Sequence, residues 1–323
     1  MLSREEVLST LYASEEPLSG EALAQRLNVT RAAVWKVIEQ LREEGFQIEA
    51  HSRQGYILRP EGQPVSAVGI RRYLNGNAMR GNIEVYDTID STNRRAKALA
   101  TEGAPEGTLV VARAQEAGHG RFQRAFHSPK DLGAYFSLIL RPKWTAERAV
   151  LLTALTAVAV ARAIERVAPV EIAIKWVNDL YIGNKKVCGI LCEAGMDFES
   201  AQMDYVVAGI GVNIARQEFP EAIQSIATSI GNETNQPISA DRVIAETINE
   251  LSGMRLNDAD AVMAEYRARS NVIGRRIRVL RGDDSIPALA VDIDMDGSLI
   301  VETAAGRQTL RSGEISIRWE DGL

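Results

Sequence analysis

The chain has 323 residues, enough for roughly two or three domains, and 46% of them are hydrophobic and 25% charged. This composition is typical of globular proteins, so it excludes a disordered chain, a collagen and a disulfide scaffold. Many nucleic-acid binders have a basic field over the whole molecule, and the net charge of −6 excludes such a field here. It leaves room for a local basic patch.

The first 60 residues are predicted to form a winged helix-turn-helix. An apolar helical face near the start predicts a first helix, and Ser19 and Thr30 are suitable N-caps for two more. The tight turn at 27–29 joins those two helices. Two short strands of a wing are predicted to follow, at 46–48 and 55–58.

Winged helices bind either DNA or protein, and the charge pattern of this one favours DNA. Residues 1–60 hold 7 basic and 9 acidic side chains, yet residues 22–38 contain three basic side chains and no acid. A basic face on an acidic domain is therefore expected. The candidate DNA-binding residues are Arg26, Thr30, Arg31, Lys36 and, on the wing, Arg53.

A linker rich in proline and glycine, from Pro60 to Pro64, precedes a long segment in which strands and helices alternate. Strands are predicted at 83–86, 108–112, 135–140, 172–176, 187–193 and 205–211, and helices at 91–101, 146–167, 240–252 and 258–270. Several strands follow one another with no helix between them, so the pattern predicts a mixed sheet rather than a parallel one.

After Gly274 the pattern changes to short strands separated by Gly/Asp turns, at 277–280, 289–292, 299–301 and 315–317. This spacing predicts a small β-barrel or sandwich. The run from Asp292 to Gly297 begins like a calcium-binding EF-hand loop, but its twelfth position is Thr303 rather than Glu, so a hairpin turn is the better interpretation. The predicted domains are 1–62, 63–270 and 271–323.

The segment from 114 to 129 is the strongest candidate for chemistry. Gly118 and Gly120 allow the backbone to approach a ligand, and Arg121 and Arg124 can hold phosphate or carboxylate oxygens. A solvated basic loop is an equally good interpretation of the spacing alone. A Rossmann fingerprint fits poorly because Gln123 occupies its sixth position, and no Walker A lysine follows.

Three further segments place polar residues at predicted strand or helix ends. Lys175, Asp179 and Lys186 lie near strand ends, where ligands of α/β sheets usually bind, although an ordinary hairpin with solvated lysines is the better interpretation of the turn taken alone. The triplet 91–93 is a helix N-cap that also suits a polar ligand, and 209–213 (GIGVN) is typical of close backbone packing.

The two cysteines, Cys188 and Cys192, have no histidine nearby, which argues against zinc and favours a reducing, cytoplasmic compartment. The N-terminal residues lack the apolar core of a signal peptide. The longest apolar stretch, 149–161, is 13 residues long, short of the roughly 20 that span a bilayer, so no membrane association is expected.

Taken together, these motifs resemble those of the biotin–protein ligases. The matching motifs are Ser-Thr-Asn at 91–93, Gly-x-Gly-Arg-x-x-Arg at 118–124, Lys-Trp-x-Asn-Asp at 175–179, Lys-x-x-Gly-Ile-Leu at 186–191 and Gly-x-Gly-x-Asn at 209–213. The N-terminal stretches 19–24 and 30–34 are similar to the winged helix of the bifunctional ligases, which also repress the biotin operon. Residues 313–318 are similar to the family's C-terminal SH3-like domain.

The resemblance implies an α+β protein: a winged helix-turn-helix, a mixed-sheet catalytic domain of the biotin/lipoate ligase type and an SH3-like β-barrel. It implies an ATP- and Mg²⁺-dependent ligase that makes biotinoyl-AMP from its substrate biotin and transfers biotin to the biotin carboxyl carrier subunit of acetyl-CoA carboxylase. It also implies a homodimer that binds operator DNA. A lipoate–protein ligase, an octanoyl transferase and a ligand-sensing repressor with a weak ligase domain remain as alternatives.

The same resemblance assigns roles to individual residues. Catalysis is assigned to Lys186, Arg121 and Asp179. Biotin binding is assigned to Ser91, Thr92, Asn93, Gln115, Gly118, His119, Gly120, Arg121, Lys186 and Gly189, and adenylate binding to Arg121, Arg124, Phe126, Lys175, Asn178 and Asn213. The chain departs from the family pattern at His119, Gln123, Phe126 and Val177, where Arg, Gly, Trp and Pro are usual.

Overall fold

The computed structural model describes residues 2–52, 54–59, 62–76, 78, 81–142, 149–197, 202–254, 259–281, 284–311 and 315–319. Some sequence predictions lie outside these ranges: the DNA candidate Arg53, residues 146–148 and 258 of two predicted helices, and residues 312–314 of the C-terminal motif.

The described helices are α1 (Arg4–Tyr12), α2 (Gly20–Arg26), α3 (Arg31–Glu43), α4 (Ala67–Arg71), α5 (Thr92–Thr101), α6 (Ala149–Val167), α7 (Ile230–Thr234), α8 (Ala240–Gly253) and α9 (Ala259–Ala268). The strands are β1 (Ile48–His51), β2 (Gly55–Leu58), β3 (Ile83–Tyr86), β4 (Leu109–Ala112), β5 (Gly133–Leu140), β6 (Ala173–Lys175), β7 (Asp179–Ile182), β8 (Lys185–Asp197), β9 (Gln202–Asn213), β10 (Arg276–Arg281), β11 (Asp284–Ile293), β12 (Leu299–Thr303), β13 (Gly306–Leu310) and β14 (Ile315–Trp319).

The N-terminal segment is a winged helix-turn-helix, as predicted. The hydroxyls of Ser19 and Thr30 accept hydrogen bonds from the backbone N–H groups of Ala22 (3.0 Å) and Ala33 (3.2 Å), which confirms both N-caps. Strands β1 and β2 form the antiparallel wing, although β1 begins two residues later than predicted. Apolar residues of α1–α3 and the wing form a core of their own.

The central sheet has seven strands in the order β3-β4-β5-β9-β8-β7-β6. Strands β3 and β4 pair in parallel, and the other neighbouring pairs are antiparallel, so the predicted mixed sheet is confirmed. Alternate side chains of each strand point to opposite faces. Helix α5 packs on one face through a small core with Val110, Ile139 and Val207, and α6 and α8 belong to the large core on the other.

The C-terminal segment is a five-stranded antiparallel sheet in the order β13-β12-β11-β10-β14. Strand β13 was missed by the sequence analysis because four of its five residues are exposed and show no apolar alternation. Asp294 closes the predicted β11–β12 turn by accepting hydrogen bonds from the N–H groups of Asp296 (3.0 Å) and Ser298 (2.8 Å). The core of this sheet is continuous with that of the central sheet.

Further structural details differ from the sequence predictions. Strands β8 and β9 extend well beyond their predicted ends and place Lys186 inside β8 rather than in the preceding turn. The short helices α4 and α7 were also missed, because five residues are too few to show a helical period. No helix in the described ranges is long and apolar enough to cross a membrane.

A buried carboxyl group joins the linker helix α4 to α8. Asp241 is 4% exposed, and its Oδ1 accepts a hydrogen bond of 2.9 Å from the backbone N–H of Ser66. Its Oδ2 lies so close to Gly69 that a Cβ at that glycine would come within 1.8 Å. Burial raises the pKa of Asp241 to about 7, against the opposing effects of the Ser66 N–H and of Arg72.

We expect this carboxyl to make the fold less stable as the pH rises. A raised folded-state pKa favours the folded state fully below the unfolded pKa near 4, and that advantage is lost as pH rises through about 7. At about 1.4 kcal/mol per pKa unit, the loss is a few kcal/mol. The urea midpoint of the wild type should therefore fall between pH 5 and pH 8 more steeply than that of Asp241→Asn; parallel curves would contradict this.

Candidate functional site

The site lies on the face of the central sheet that α5 covers, where the strands carry small residues. Ser137 of β5 pairs with Gly209 of β9, and Gly211 of β9 pairs with Gly189 of β8. Because these side chains are small or absent, they leave space above the sheet. A cleft of about 1000 Å³, including its open mouth, forms there between the sheet, the start of α5 and the loop 118–126.

Most of the predicted ligand-binding residues line this one cleft. They are Ser91, Thr92, Asn93, Gln115, His119, Gly120, Arg121, Arg124, Phe126, Lys175, Asn178, Asp179, Lys186 and Gly189. Two predicted residues stand apart: Gly118 lies against Gln115 and Ser128, and the Asn213 amide donates to the carbonyl of Thr228 (2.9 Å). The fold thus brings together segments that are separated by about a hundred residues.

One end of the cleft is polar and well ordered by hydrogen bonds. Ser91 caps α5, and Oε1 of Gln115 accepts from both the backbone N–H (2.9 Å) and the hydroxyl (3.1 Å) of Thr92. The Gln115 amide nitrogen in turn donates to the Ser128 hydroxyl at 3.1 Å. This end therefore presents preorganised donors and acceptors to a compact polar ligand group.

The glycine-rich loop folds back on itself across the cleft. The N–H of Gly120 donates to the carbonyl of Arg124 (2.8 Å), and the N–H of Phe126 donates to the carbonyl of Gly118 (2.9 Å). Gln123 has a left-handed φ of 56°, a conformation that favours glycine, the residue that the family usually has there. The loop is thus closed by hydrogen bonds of its own backbone.

Cationic side chains of the loop lie over an aromatic ring that the sequence analysis did not single out. The guanidinium groups of Arg121 and Arg124 lie 5.0 and 5.7 Å from the ring centroid of Phe122, which is 51% exposed. Burial and the nearby Arg124 lower the pKa of Arg121, and Asp179 opposes them. The loop therefore brings two positive charges to the mouth of the cleft.

At the centre of the cleft Lys186 forms an ion pair with Asp179, with 2.7 Å between Nζ and Oδ1. Its ammonium also lies 5.8 Å from the ring centroid of Phe126. The backbone of Lys186 is held from both sides, because its N–H donates to the carbonyl of Ile226 (2.8 Å) and its carbonyl accepts from Thr228 (2.9 Å). A charged amine is thus fixed in position between the two ends of the cleft.

A second, more apolar cavity continues from the first past Lys186. It shares Arg124, Phe126, Lys175, Asp179 and Lys186 with the cleft, and its far wall is formed by Asn213, Phe219, Ile223 and Ile226. Ile226 is 52% exposed. The sequence analysis predicted only Asn213 of this wall, because residues 219–226 carry no motif. The joined cavities can hold a ligand with a polar end, an anionic middle and a flat apolar end.

The C-terminal sheet also supports the site. The buried indole Nε1 of Trp176, which lines the cleft, donates to the carbonyl of Gly297 in the β11–β12 turn at 2.9 Å. The hydroxyl of Tyr266 donates to the carbonyl of Val177 at 2.8 Å. These bonds hold the segment between β6 and β7, which carries Asn178 and leads directly into Asp179, against α9 and the C-terminal sheet.

In the N-terminal domain the described DNA candidates are all exposed: Arg26, Thr30, Arg31 and Lys36. Thr30 is occupied as the N-cap of α3, and the stem of Arg31 lies beside Gly20 at the start of α2. Trp35, 57% exposed on α3, was missed because an apolar residue on a helix is normally assigned to the core. The exposed surface of the first two turns of α3 is therefore basic and aromatic.

Comparison with known proteins adds independent findings. Three family models match the chain in order: an HTH domain over residues 3–57, the Biotin/lipoate A/B protein ligase family over 85–213 and the Biotin protein ligase C terminal domain over 272–318.

Among curated relatives, the bifunctional ligase/repressor BirA of Bacillus subtilis is 35% identical over 94% of this chain and 95% of its own length. The protein of the same name from Escherichia coli is 30% identical over 96% of each chain. Among solved structures, the biotin protein ligase of Aquifex aeolicus in complex with biotin and ATP has a TM-score of 0.64 and 26% identity, covering 74% of this chain and 99% of that one.

Proposed function

The chain belongs to the family of the bifunctional ligase/repressor BirA, and from this premise we propose how its joined cavities ligate biotin. Biotin's carboxylate attacks the α-phosphate of ATP, which forms biotinoyl-AMP and releases pyrophosphate. The amine of an acceptor lysine then attacks the mixed anhydride, which forms an amide and releases AMP. The observation that carries the proposal is the fixed Lys186 ammonium between a polar pocket and an apolar cavity.

The first step brings two anions together, so it needs positive charge at the point of attack. We assign that charge to Lys186, with Arg121 and Arg124 closing the loop over the adenylate. The biotin ring would lie at the polar end, against Ser91, Thr92 and Gln115. The nucleotide would extend toward Lys175, Asn178 and Asn213, with the apolar wall of the second cavity beside the adenine. Asp179 would orient Lys186 or receive the proton of the acceptor amine.

We propose that Mg²⁺ arrives with the ATP phosphates. The cleft offers one carboxylate near its centre, Asp179, which is already paired with Lys186 at 2.7 Å. No group of three or more metal-ligating side chains occurs in the described ranges. Phosphate oxygens and water would therefore supply most of the ligands that a hard, octahedral cation prefers.

The ligase proposal is tested by incubating the full chain with biotin, ATP and Mg²⁺ and measuring pyrophosphate. We expect release that depends on biotin, followed by labelling of a biotin carboxyl carrier subunit of acetyl-CoA carboxylase. Release with lipoate or octanoate in place of biotin would favour the lipoate ligase alternative. Biotin binding without pyrophosphate release would favour a ligand-sensing repressor.

The second activity is repression of biotin genes through operator DNA, and we propose that it requires a homodimer. One winged helix with a modest basic face binds DNA weakly, and two copies on paired half-sites add affinity and specificity.

The three family matches support domain boundaries near residues 62 and 270. A cytoplasmic location is supported by the two free cysteines, Cys188 and Cys192.

We expect Arg121 to retain the adenylate. In Arg121→Gly the loop loses a cation that is partly buried at the mouth of the cleft, so biotinoyl-AMP should escape and label lysines of bystander proteins. Streptavidin blotting of a reaction that contains bovine albumin would measure this labelling. Arg59→Gly, in an exposed segment after the wing, is the control and should leave albumin unlabelled. An Arg121→Gly protein that makes adenylate but labels only the carrier subunit would disprove the retention role.

We expect biotin and ATP together to raise operator affinity, and unbiotinylated carrier subunit to lower it, because a ligand that favours the dimer must favour its DNA complex. Arg31→Ala should abolish detectable operator binding and leave pyrophosphate release unchanged. Arg307→Ala, an exposed arginine of β13, is the control. Gel shift and sedimentation at fixed salt measure both effects. An operator affinity that does not change when biotin and ATP are added would contradict this coupling, and no operator binding under either condition would leave the domain as a protein-contact module.

A further inference from the structure

An ion-pair cluster joins the two ends of the segment 114–129, which carries the glycine-rich loop, and the proposed reaction does not use it. Arg113 immediately precedes this segment, and Asp131 lies just beyond it. The guanidinium of Arg113 donates to both carboxylate oxygens of Asp131, from Nε at 2.7 Å and from Nη2 at 2.6 Å. The backbone N–H of Asp131 also donates to the carbonyl of Arg113 at 3.0 Å. A bidentate pair of this kind fixes the orientation of both groups.

Asp87, just after β3, connects the same two ends a second time. Its Oδ1 lies 3.1 Å from Nη1 of Arg113, and its Oδ2 accepts a hydrogen bond of 2.8 Å from Nζ of Lys130. The hydrogen bond from Lys130 and the charge of Arg113 hold the pKa of the Asp87 carboxyl below its usual range, against the effect of burial. Each end of the segment therefore contributes a cation to the same carboxylate.

The pair of Arg113 and Asp131 is the base of a ladder that leads to the cleft. Asp131 has a left-handed φ of 61°, a conformation that costs a non-glycine residue free energy and persists where its surroundings enforce it. The next rung is the bond of 3.1 Å from the N–H of Gln115 to the carbonyl of Ser128. The ladder then continues into the backbone bonds that close the glycine-rich loop, so the loop is built on this pair.

The end of α3, in the N-terminal domain, lies against the same guanidinium. A Cβ built at Gly45 would lie 3.6 Å from Nη2 of Arg113 and 3.4 Å from Cγ of Pro64. Glu44, which forms an ion pair with Arg4 of α1, lines the groove between the two domains together with Arg113. Its charge adds to the hydrogen bonds of the loop-end carboxylate in raising the pKa of Arg113, against the effect of burial.

This cover affects the ion pairs because water weakens them. An ion pair open to solvent contributes little to stability, whereas charges shielded from water attract each other more strongly. With α3 in place, the side chain of Arg113 is only 12% exposed. If the end of α3 moved away, water would reach the guanidinium, weaken its bonds to Asp131 and loosen the base of the ladder.

We infer that Arg113 is a positioning residue through which the winged helix controls how tightly the glycine-rich loop holds the adenylate, an inference that rests on the proposed ligase function. Arg113 lines neither of the two described cavities, so it acts through the loop and not on the ligand. The control operates within one chain, separately from dimerisation. By linkage, an adenylate that closes the loop also favours the seated position of the winged helix.

The test measures how fast biotinoyl-AMP leaves the full chain. Each protein is loaded with radiolabelled biotin and ATP and chased with unlabelled biotinoyl-AMP, at a concentration where sedimentation shows a monomer. Glu44→Arg places a cation beside Arg113 and should speed dissociation about fivefold, as expected for weakening one ion pair. Arg113→Gln removes the bidentate pair and should speed dissociation at least about tenfold, and Arg113→Lys should fall between Arg113→Gln and the wild type.

A matched control and a double variant separate control by the winged helix from a general loss of structure. Glu43→Arg makes the same charge reversal at an exposed neighbouring position outside the groove and should keep the wild-type rate. Because Glu44→Arg acts through Arg113, adding it to Arg113→Gln should speed dissociation no further. Even if Arg113→Gln fails to fold, Glu44→Arg decides the question, since this side chain is 35% exposed and a cation suits the end of a helix.

Three results would overturn the inference. A wild-type dissociation rate in Glu44→Arg would show that the winged helix does not control the loop. A wild-type rate in folded Arg113→Gln would show that Arg113 does not position it, and effects that add in the double variant would show two independent causes. A wild type that forms no adenylate would instead refute the proposed function, and this inference with it.

Discussion

Lys186→Ala should lower the rate of biotin-dependent pyrophosphate release by about 10²–10³, the usual cost of removing one preorganised charge from a reacting centre. The fold should survive, because Lys186 is held by backbone hydrogen bonds that alanine can also make, and its side chain is 31% exposed. Asp179 would be left unpaired beside the phosphate, so its repulsion adds to the loss. A fixed-time pyrophosphate assay with saturating biotin and ATP measures the effect.

Lys185→Ala is the matched control, since it removes an exposed lysine from the neighbouring position of β8 that lines neither cavity. It should retain wild-type activity. If Lys186→Ala released pyrophosphate within about threefold of the wild-type rate, Lys186 would have no part in stabilising the transition state, and the charge would have to come from the loop arginines.

Gly209→Ala should weaken biotin binding by about 10- to 100-fold and weaken ATP binding much less. The new Cβ would come within 1.9 Å of Oδ1 and 2.5 Å of Cγ of Asn93, and a buried amide that is bonded to Glu193 and Ser137 cannot move away without losing those bonds. Overpacking and a broken buried hydrogen bond each cost about 1–3 kcal/mol. The ATP end, beyond Lys186, does not depend on Asn93.

Calorimetric Kd values for biotin and for ATP would check this contrast between the two ends. Gly253→Ala, at the end of α8, is the control because its added Cβ meets no atom within 4 Å. Equal losses for biotin and ATP would indicate that the whole sheet had shifted. Unchanged biotin affinity would show that the Asn93 amide is not part of the biotin end.

The sequence by itself determined the structural features that depend on residues close together in the chain. Ser19 and Thr30 act as N-caps within three residues of their partners, and the period of apolar residues sets each long helix and strand. The loop 118–126 carries its glycines and arginines in one short stretch, so it could be predicted as a candidate ligand-binding loop, whereas Lys186 and Asp179 received their predicted roles only through the family resemblance. The order of the motifs along the chain predicted the family, which the comparisons confirmed.

The tertiary structure decided what depends on residues far apart in the chain. Ser137 looks like an ordinary strand residue, and it acquires partners only because α5 crosses β5 and brings Thr92 and Asn93 over it. Glu193, about a hundred residues from Asn93, orients that amide only when β8 lies beside β9. The apolar wall of the second cavity has no local signal, because burial and hydrogen-bond direction are properties of the packed sheet and not of a stretch of sequence.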